Sequence, residues 1–220
     1  MARASLWSTL KQPLVHQNPV TLQILGICSA LAVTTSVATA LTMSAALTVV
    51  VVAGAGLISL IRHHIPNSIR LIVQIVIVAS LVIVIDQMLQ AWLPEISRKL
   101  SVFVSLIATN CLVLGRTESF SRLNPPLPAM VDALGNGLGY SLVLMVIGSA
   151  RELFGAGTLL GWQVLPLADQ GGWFTPLNLM LLAPSAFFLL GGLVWAIRSI
   201  LPAQVEASEF DAPDPTEVPE

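Results

Sequence analysis

TLQILGICSALAVTT, residues 21–35, and LSVFVSLIATNCLVLG, residues 100–115, decide how this chain is built. Both are apolar enough for a bilayer. As straight helices rising ~1.5 Å per residue they cover only about 22–24 Å, short of a hydrocarbon core of about 30 Å. Each holds one of the chain's only two cysteines, Cys28 and Cys111. Aligning the two thiols also aligns Leu31 with Leu114 and Thr34 with Thr117. Residues that interrupt helices stand beside both: Gly26 before Cys28, Asn110 before Cys111 and Gly115 after it. Short or interrupted segments at matching places in two halves point to a shared site near the bilayer midplane.

Outward from these segments lie four longer apolar runs, roughly residues 38–61, 69–91, 129–152 and 177–200. Each is long enough, at about 23 residues, to cross a membrane as one helix. The order is short, long, long, repeated once. The chain therefore divides into an N-terminal segment (1–13), a first three-segment repeat (14–92), a second (93–201) and a tail (202–220) ending EFDAPDPTEVPE. Its proline and acid content predicts a disordered tail. The N-terminal segment has scattered polar residues and no pattern of a cleavable signal or Arg-rich targeting peptide. Residues 153–176 contain five glycines with Trp162 and Trp173, and predict an ordered non-cytoplasmic loop with aromatic anchors at the interface.

Composition agrees with this reading. Mean hydropathy is +0.83 and 10% of residues are charged, against about 25% in soluble domains. The formal charge of −2 excludes a broad basic surface for nucleic acid. Two cysteines in apolar surroundings do not make a disulfide framework. If all six segments cross, one side receives Arg3, Lys11, Arg62, Arg70, Arg116, Arg122 and Arg198, and the other Arg98, Lys99 and Arg151. The positive-inside rule then places both termini in the cytoplasm. Re-entrant short segments would give the same division, so the count alone leaves the number of crossings open.

An isolated cysteine in an apolar run is ordinarily a small hydrophobe. Two at matching, interrupted positions suggest ligands. Thiolates favour iron–sulfur clusters, zinc or Cu(I), and such sites take about four protein ligands. With no further Cys or His near either thiol in sequence, the complete site needs ligands from another chain. A cluster passing one electron across the bilayer uses this geometry better than a structural zinc does. Other residues read more plainly. RHHIPNSIR, residues 62–70, is a basic turn broken at Pro66–Asn67, and adjacent His63 and His64 point apart in most backbones. Asp86 is an intramembrane carboxylate, a functional candidate that is close enough to Trp92 to reach the interface. Asp132 and the pair Arg151–Glu152 flank the fifth segment, where interfacial pairing is expected. GNGLGY, residues 135–140, lacks the preceding strand of a dinucleotide loop and reads instead as close helix packing, as do Gly54, Gly56, Gly191 and Gly192.

Together, QILGICSALAVTT, SLIRHHIPNSIR, VIVIDQ, ISRKLSVFVSLIATNCLVLGR, DALGNGLGY, NLMLLAPSAFF and LPAQVE resemble the D-type subunits of the bacterial sodium-translocating NADH:quinone reductases, over about residues 14–206. The Rnf electron-transport complexes have a paralogous E-type subunit with most of the same pattern; LPAQVE and HIPNSIR favour the quinone reductases. The resemblance implies an all-α membrane protein of the inner membrane, with six transmembrane helices in two inverted three-helix repeats and the first helix of each repeat short or broken. It implies a homologous E-type subunit of the quinone reductase packed as an inverted partner, and a 2Fe–2S cluster held by two cysteines of each, here Cys28 and Cys111. Electrons would reach that cluster from a cytoplasmic NADH-oxidising subunit and leave to a covalent flavin on the periplasmic side. Four further subunits of the A, B, C and F types would complete the complex, with flavins, NADH and ubiquinone on those chains, and sodium pumped outward. Two readings of other classes stand beside it: a stand-alone inverted-repeat secondary transporter, and an assembly subunit with inert cysteines.

Overall fold

The computed structural model describes residues 10, 13, 18–62, 64–66, 68–92, 106–159, 162–163 and 177–200. The tail, most of residues 1–17, the start of the second short segment, Arg98, Lys99, His63 and Trp173 lie outside the described residues. The elements are α1 (Ile27–Val33), α2 (Val37–Ile61), α3 (Arg70–Trp92), α4 (Cys111–Arg116) running into a π-helical turn (Thr117–Ser121), α5 (Pro126–Ala156), a two-residue ribbon β1 (Thr158–Leu159) with β2 (Trp162–Gln163), α6 (Asn178–Leu181) and α7 (Ala183–Ile200).

Helices α2, α3 and α5 are each long and apolar enough to cross a membrane, and residues Pro184–Ile200 of α7 form a shorter apolar helix. The core is the α2–α5 pair, the most extensive contact in the fold. Leu47, Val50, Val51 and Ile58 of α2 join Ala133, Tyr140, Leu144 and Ile147 of α5 within one buried cluster. Small residues bring the backbones close. At Gly137 an added Cβ would stand 2.8 Å from the Thr48 side chain, and at Gly139 2.6 Å from the Pro13 carbonyl oxygen, so the GNGLGY run is a packing face. Helix α3 is peripheral: only 17% of its most apolar window is buried, against 50% for α2 and 56% for α5. Its outward Ile72, Val76, Ile83 and Val84 are exposed.

Two long segments differ in extent from expectation. The segment expected over 129–152 runs from Pro126, a proline in the first turn where its missing N–H costs nothing, to Ala156, where Gly157 at φ 69° ends it. Four residues assigned to the following loop are thus helical. The segment expected over 177–200 is broken between α6 and α7. Leu182 is extended and Pro184 cannot donate into the preceding turn.

That break exposes carbonyl groups, and the chain satisfies them from α5. Arg151, 0% exposed, donates from Nε to the Met180 carbonyl and from Nη2 to the Leu182 carbonyl, each at 3.1 Å. Its Nη1 donates to Thr34 Oγ1 at 2.7 Å and to the Leu31 carbonyl at 3.3 Å, at the C-terminal end of α1. A cation is favoured where helix carbonyls are unpaired. The neighbouring Glu152 does the converse: its Oε2 accepts from the N–H of Val37, the first residue of α2, at 2.6 Å. The expected interfacial Arg–Glu pair is therefore a buried pair of helix caps. Asp132 is paired too, and buried within the protein. It is 4% exposed and gripped by both ends of the Arg116 guanidinium, with Arg116 Nε donating to Oδ2 at 3.1 Å.

Candidate functional site

Neither short segment is a continuous helix. In the first, Asn18 opens a run of turns: its Oδ1 accepts from the N–H of Val20 and its Nδ2 donates to the Gly139 carbonyl. Helix begins only at Ile27. Two of the three described residues with positive φ stand just before it, Ile24 at φ 56° and Gly26 at φ 80°. A β-branched residue with positive φ is an outlier that surrounding structure must hold in place. Gly26 also has no room for a side chain, since an added Cβ would lie 2.9 Å from the Tyr140 ring. In the second segment, residues 106–108 are helical, Asn110 is extended, and helix resumes at Cys111. The Asn110 side chain caps that restart, its Oδ1 accepting from the N–H of Leu112 at 2.9 Å.

The two interruptions meet. Asn110 Nδ2 donates to Ser29 Oγ at 2.8 Å. Ser29 Oγ also bonds the Gly26 carbonyl at 3.0 Å and the Tyr140 hydroxyl at 2.6 Å. Ser29 has one proton. Donating it to Gly26 leaves its lone pairs to accept from Asn110 and Tyr140, so every partner is satisfied. All three side chains are buried. A buried network of this kind fixes one geometry, because breaking any link strands a polar group in apolar surroundings.

Each cysteine is covalently adjacent to this joint: Cys28 precedes Ser29, and Cys111 follows Asn110. Both thiols are free and exposed, while Ser29, Asn110 and Leu112 beside them are buried. Both stand in the first turn of a short helix. The internal likeness extends past the thiols. Thr34 Oγ1 donates to the Ala30 carbonyl and Thr117 Oγ1 to the Leu114 carbonyl, and both threonines are 0% exposed.

The donor set is two soft sulfurs. Among the described residues no group of three or more His, Cys, Asp or Glu gathers. Two thiols fit half of a four-cysteine iron–sulfur site, with the other half free to come from across the exposed face. The remaining candidates stand apart from this joint. His64 is exposed. Asp86 Oδ2 accepts from Gln90 of its own helix at 2.8 Å. Sequence reasoning missed Ser29 and Tyr140 as partners of Asn110 in this joint; the available signal was the chain's single tyrosine, set in an apolar helix where its hydroxyl must find a partner.

Residues 6–194 match the family described as "Rnf-Nqr subunit, membrane protein". The chain is 56% identical over 194 residues to the D subunit of the Na(+)-translocating NADH-quinone reductase of Serratia proteamaculans (strain 568), covering 88% of this chain and 93% of that one. Identity of this extent over nearly the whole length, together with the apolar helices, means that the chain belongs to the Rnf-Nqr family of membrane-protein subunits.

Proposed function

We propose that this chain is the D-type subunit of a sodium-translocating NADH:ubiquinone oxidoreductase of the bacterial inner membrane, and that it carries electrons through the bilayer. Cys28 and Cys111 supply two ligands of a 2Fe–2S cluster, and a homologous E-type subunit, packed as an inverted partner, supplies the other two. The fold is then six transmembrane segments in two inverted repeats, both termini cytoplasmic, with α1 and α4 as the half-helices that reach the midplane. The A, B, C and F types of subunit carry the NADH, flavin and quinone chemistry. Support for the assembly comes from the named relative. The burial of Arg151 among carbonyls also removes it from the loop charges, which sharpens the arginine asymmetry.

The observation that carries the reading is the joint itself: two exposed thiols anchored on one buried hydrogen-bonded triad of Ser29, Asn110 and Tyr140. A cluster bound there would accept and release one electron without a proton. The chain's own residues hold the two sulfurs at fixed positions and close the inner side of the site to water. Several of the described acids are paired elsewhere: Asp132 with Arg116, Glu118 with Arg70, and Glu152 with the start of α2. That distribution favours electron carriage over a stand-alone transporter. The test is iron content and low-temperature EPR of the purified complex. Wild type is expected to hold about two more irons than a Cys28→Ala/Cys111→Ala complex, with a reduced-cluster signal that the variant lacks. Equal iron and identical spectra would refute the assignment.

A further inference from the structure

At one end of α2 and α3 a cavity of about 200 Å³ is lined by Ile58, Arg62, Ile65, Arg70, Gln74, Arg122 and Leu123. Among the described residues, three of the seven that line it are arginines and none is acidic. Glu118, outside the lining, offsets part of this charge: Arg70 Nη2 meets its Oε1 at 2.9 Å and Gln74 Nε2 donates to its Oε2 at 2.9 Å. Arg122 is less well served. Its Nε is buried without a hydrogen-bond acceptor, Glu118 Oε1 lying 3.8 Å away. A buried guanidinium N–H without an acceptor is costly, and an added anionic oxygen relieves it.

We propose that this cavity binds the phosphate headgroup of an anionic phospholipid. Guanidinium forks match phosphate oxygens in pairs. Basic pockets between transmembrane helices suit anionic lipid headgroups. The volume is below the roughly 300–1,000 Å³ of sites for drug-sized ligands, which favours a single phosphate over a nucleotide or a quinone ring. The aliphatic share of the lining, Ile58, Ile65 and Leu123, gives the glycerol and first methylenes an apolar wall. Beside it, Ile69, Leu71 and Ile72 at the start of α3 are exposed and offer acyl chains a continuation along the helix. A free anion would gain nothing from those surfaces.

The whole complex, reconstituted with a diazirine-bearing phosphatidylglycerol, tests this. After irradiation, adducts are expected on peptides covering residues 58–74 and 122–123, competed by excess phosphatidylglycerol and not by phosphatidylcholine or millimolar inorganic phosphate. Arg62→Gln/Arg122→Gln should lower the adduct yield roughly 10- to 30-fold, at about 1 kcal/mol per basic residue. Competition by phosphatidylcholine would remove the headgroup claim. Equal competition by inorganic phosphate would make this a free-anion site and overturn the lipid assignment. An unchanged yield in the double variant would overturn it too. Should that variant fail to assemble, Arg62→Lys/Arg122→Lys keeps the charge and loses the forks. A smaller fall is expected there, and wild-type yield would count against the proposal.

Discussion

Exchange of either Cys28 or Cys111 for alanine is expected to lower NADH-driven quinone reduction by at least about 100-fold, while NADH oxidation by a soluble artificial acceptor stays within about two-fold of wild type. The split follows from where the thiols sit. Each lies beside the Ser29–Asn110–Tyr140 joint, at a break in a short segment. On the proposed reading, losing one sulfur removes a cluster ligand without touching the core, because both side chains are exposed on the protein surface. Assembly should therefore survive. If the proposed cluster is bound there, serine at either position should be nearly as damaging, since a hydroxyl is a poor substitute for a thiolate on iron. Steady-state kinetics with the two acceptors, on complexes matched for subunit content, measure the effect. A loss of both activities in parallel would place the cysteines in assembly instead.

Arg151→Leu should have the second-largest effect, on assembly and not on chemistry. The guanidinium joins three places far apart in sequence: the end of α1 through Leu31 and Thr34, the break between α6 and α7 through Met180 and Leu182, and α5 itself. Hydrogen bonds to a charged group contribute about 1.5–3 kcal/mol each, so their combined loss should exceed about 3 kcal/mol. Ser185 Oγ also reaches the Met180 and Leu182 carbonyls, at 2.6 and 2.8 Å, and retains part of the break. The larger loss therefore falls on the tie between α5 and the end of α1. The expected result is little or no assembled complex, with Arg151→Lys partly restoring it because one ammonium serves fewer acceptors. Quantitative immunoblotting of membranes and thermal unfolding of purified complex give the readout. Wild-type levels and melting in Arg151→Leu would mean that those carbonyls are satisfied without it.

The long helices were legible because nothing but apolar length is needed to recognise them, and α2 and α3 end within a few residues of the apolar runs that predict them. The interruptions beside the cysteines were legible for a similar reason: Gly26 and Asn110 are wrong for the middle of an apolar helix. What those residues do was not legible. Asn110 reads as a breaker, whereas it is a cap and a donor to Ser29, and that pairing spans 81 positions. Arg151 and Glu152 read as an interfacial pair because the sequence shows charge at the end of an apolar run. It does not show the carbonyls of residues 180 and 182 folding back onto it. The break at Pro184 was in plain view, but the apolar run continues through it, and hydropathy does not register a missing N–H.

Density for the whole complex at a resolution that separates side chains is the most direct measurement. The account predicts a compact metal feature in contact with the sulfurs of residues 28 and 111 and with two sulfurs of the neighbouring homologue, inside the membrane. Sulfurs at 28 and 111 facing lipid, or packed against a neighbour with no metal between them, would contradict it.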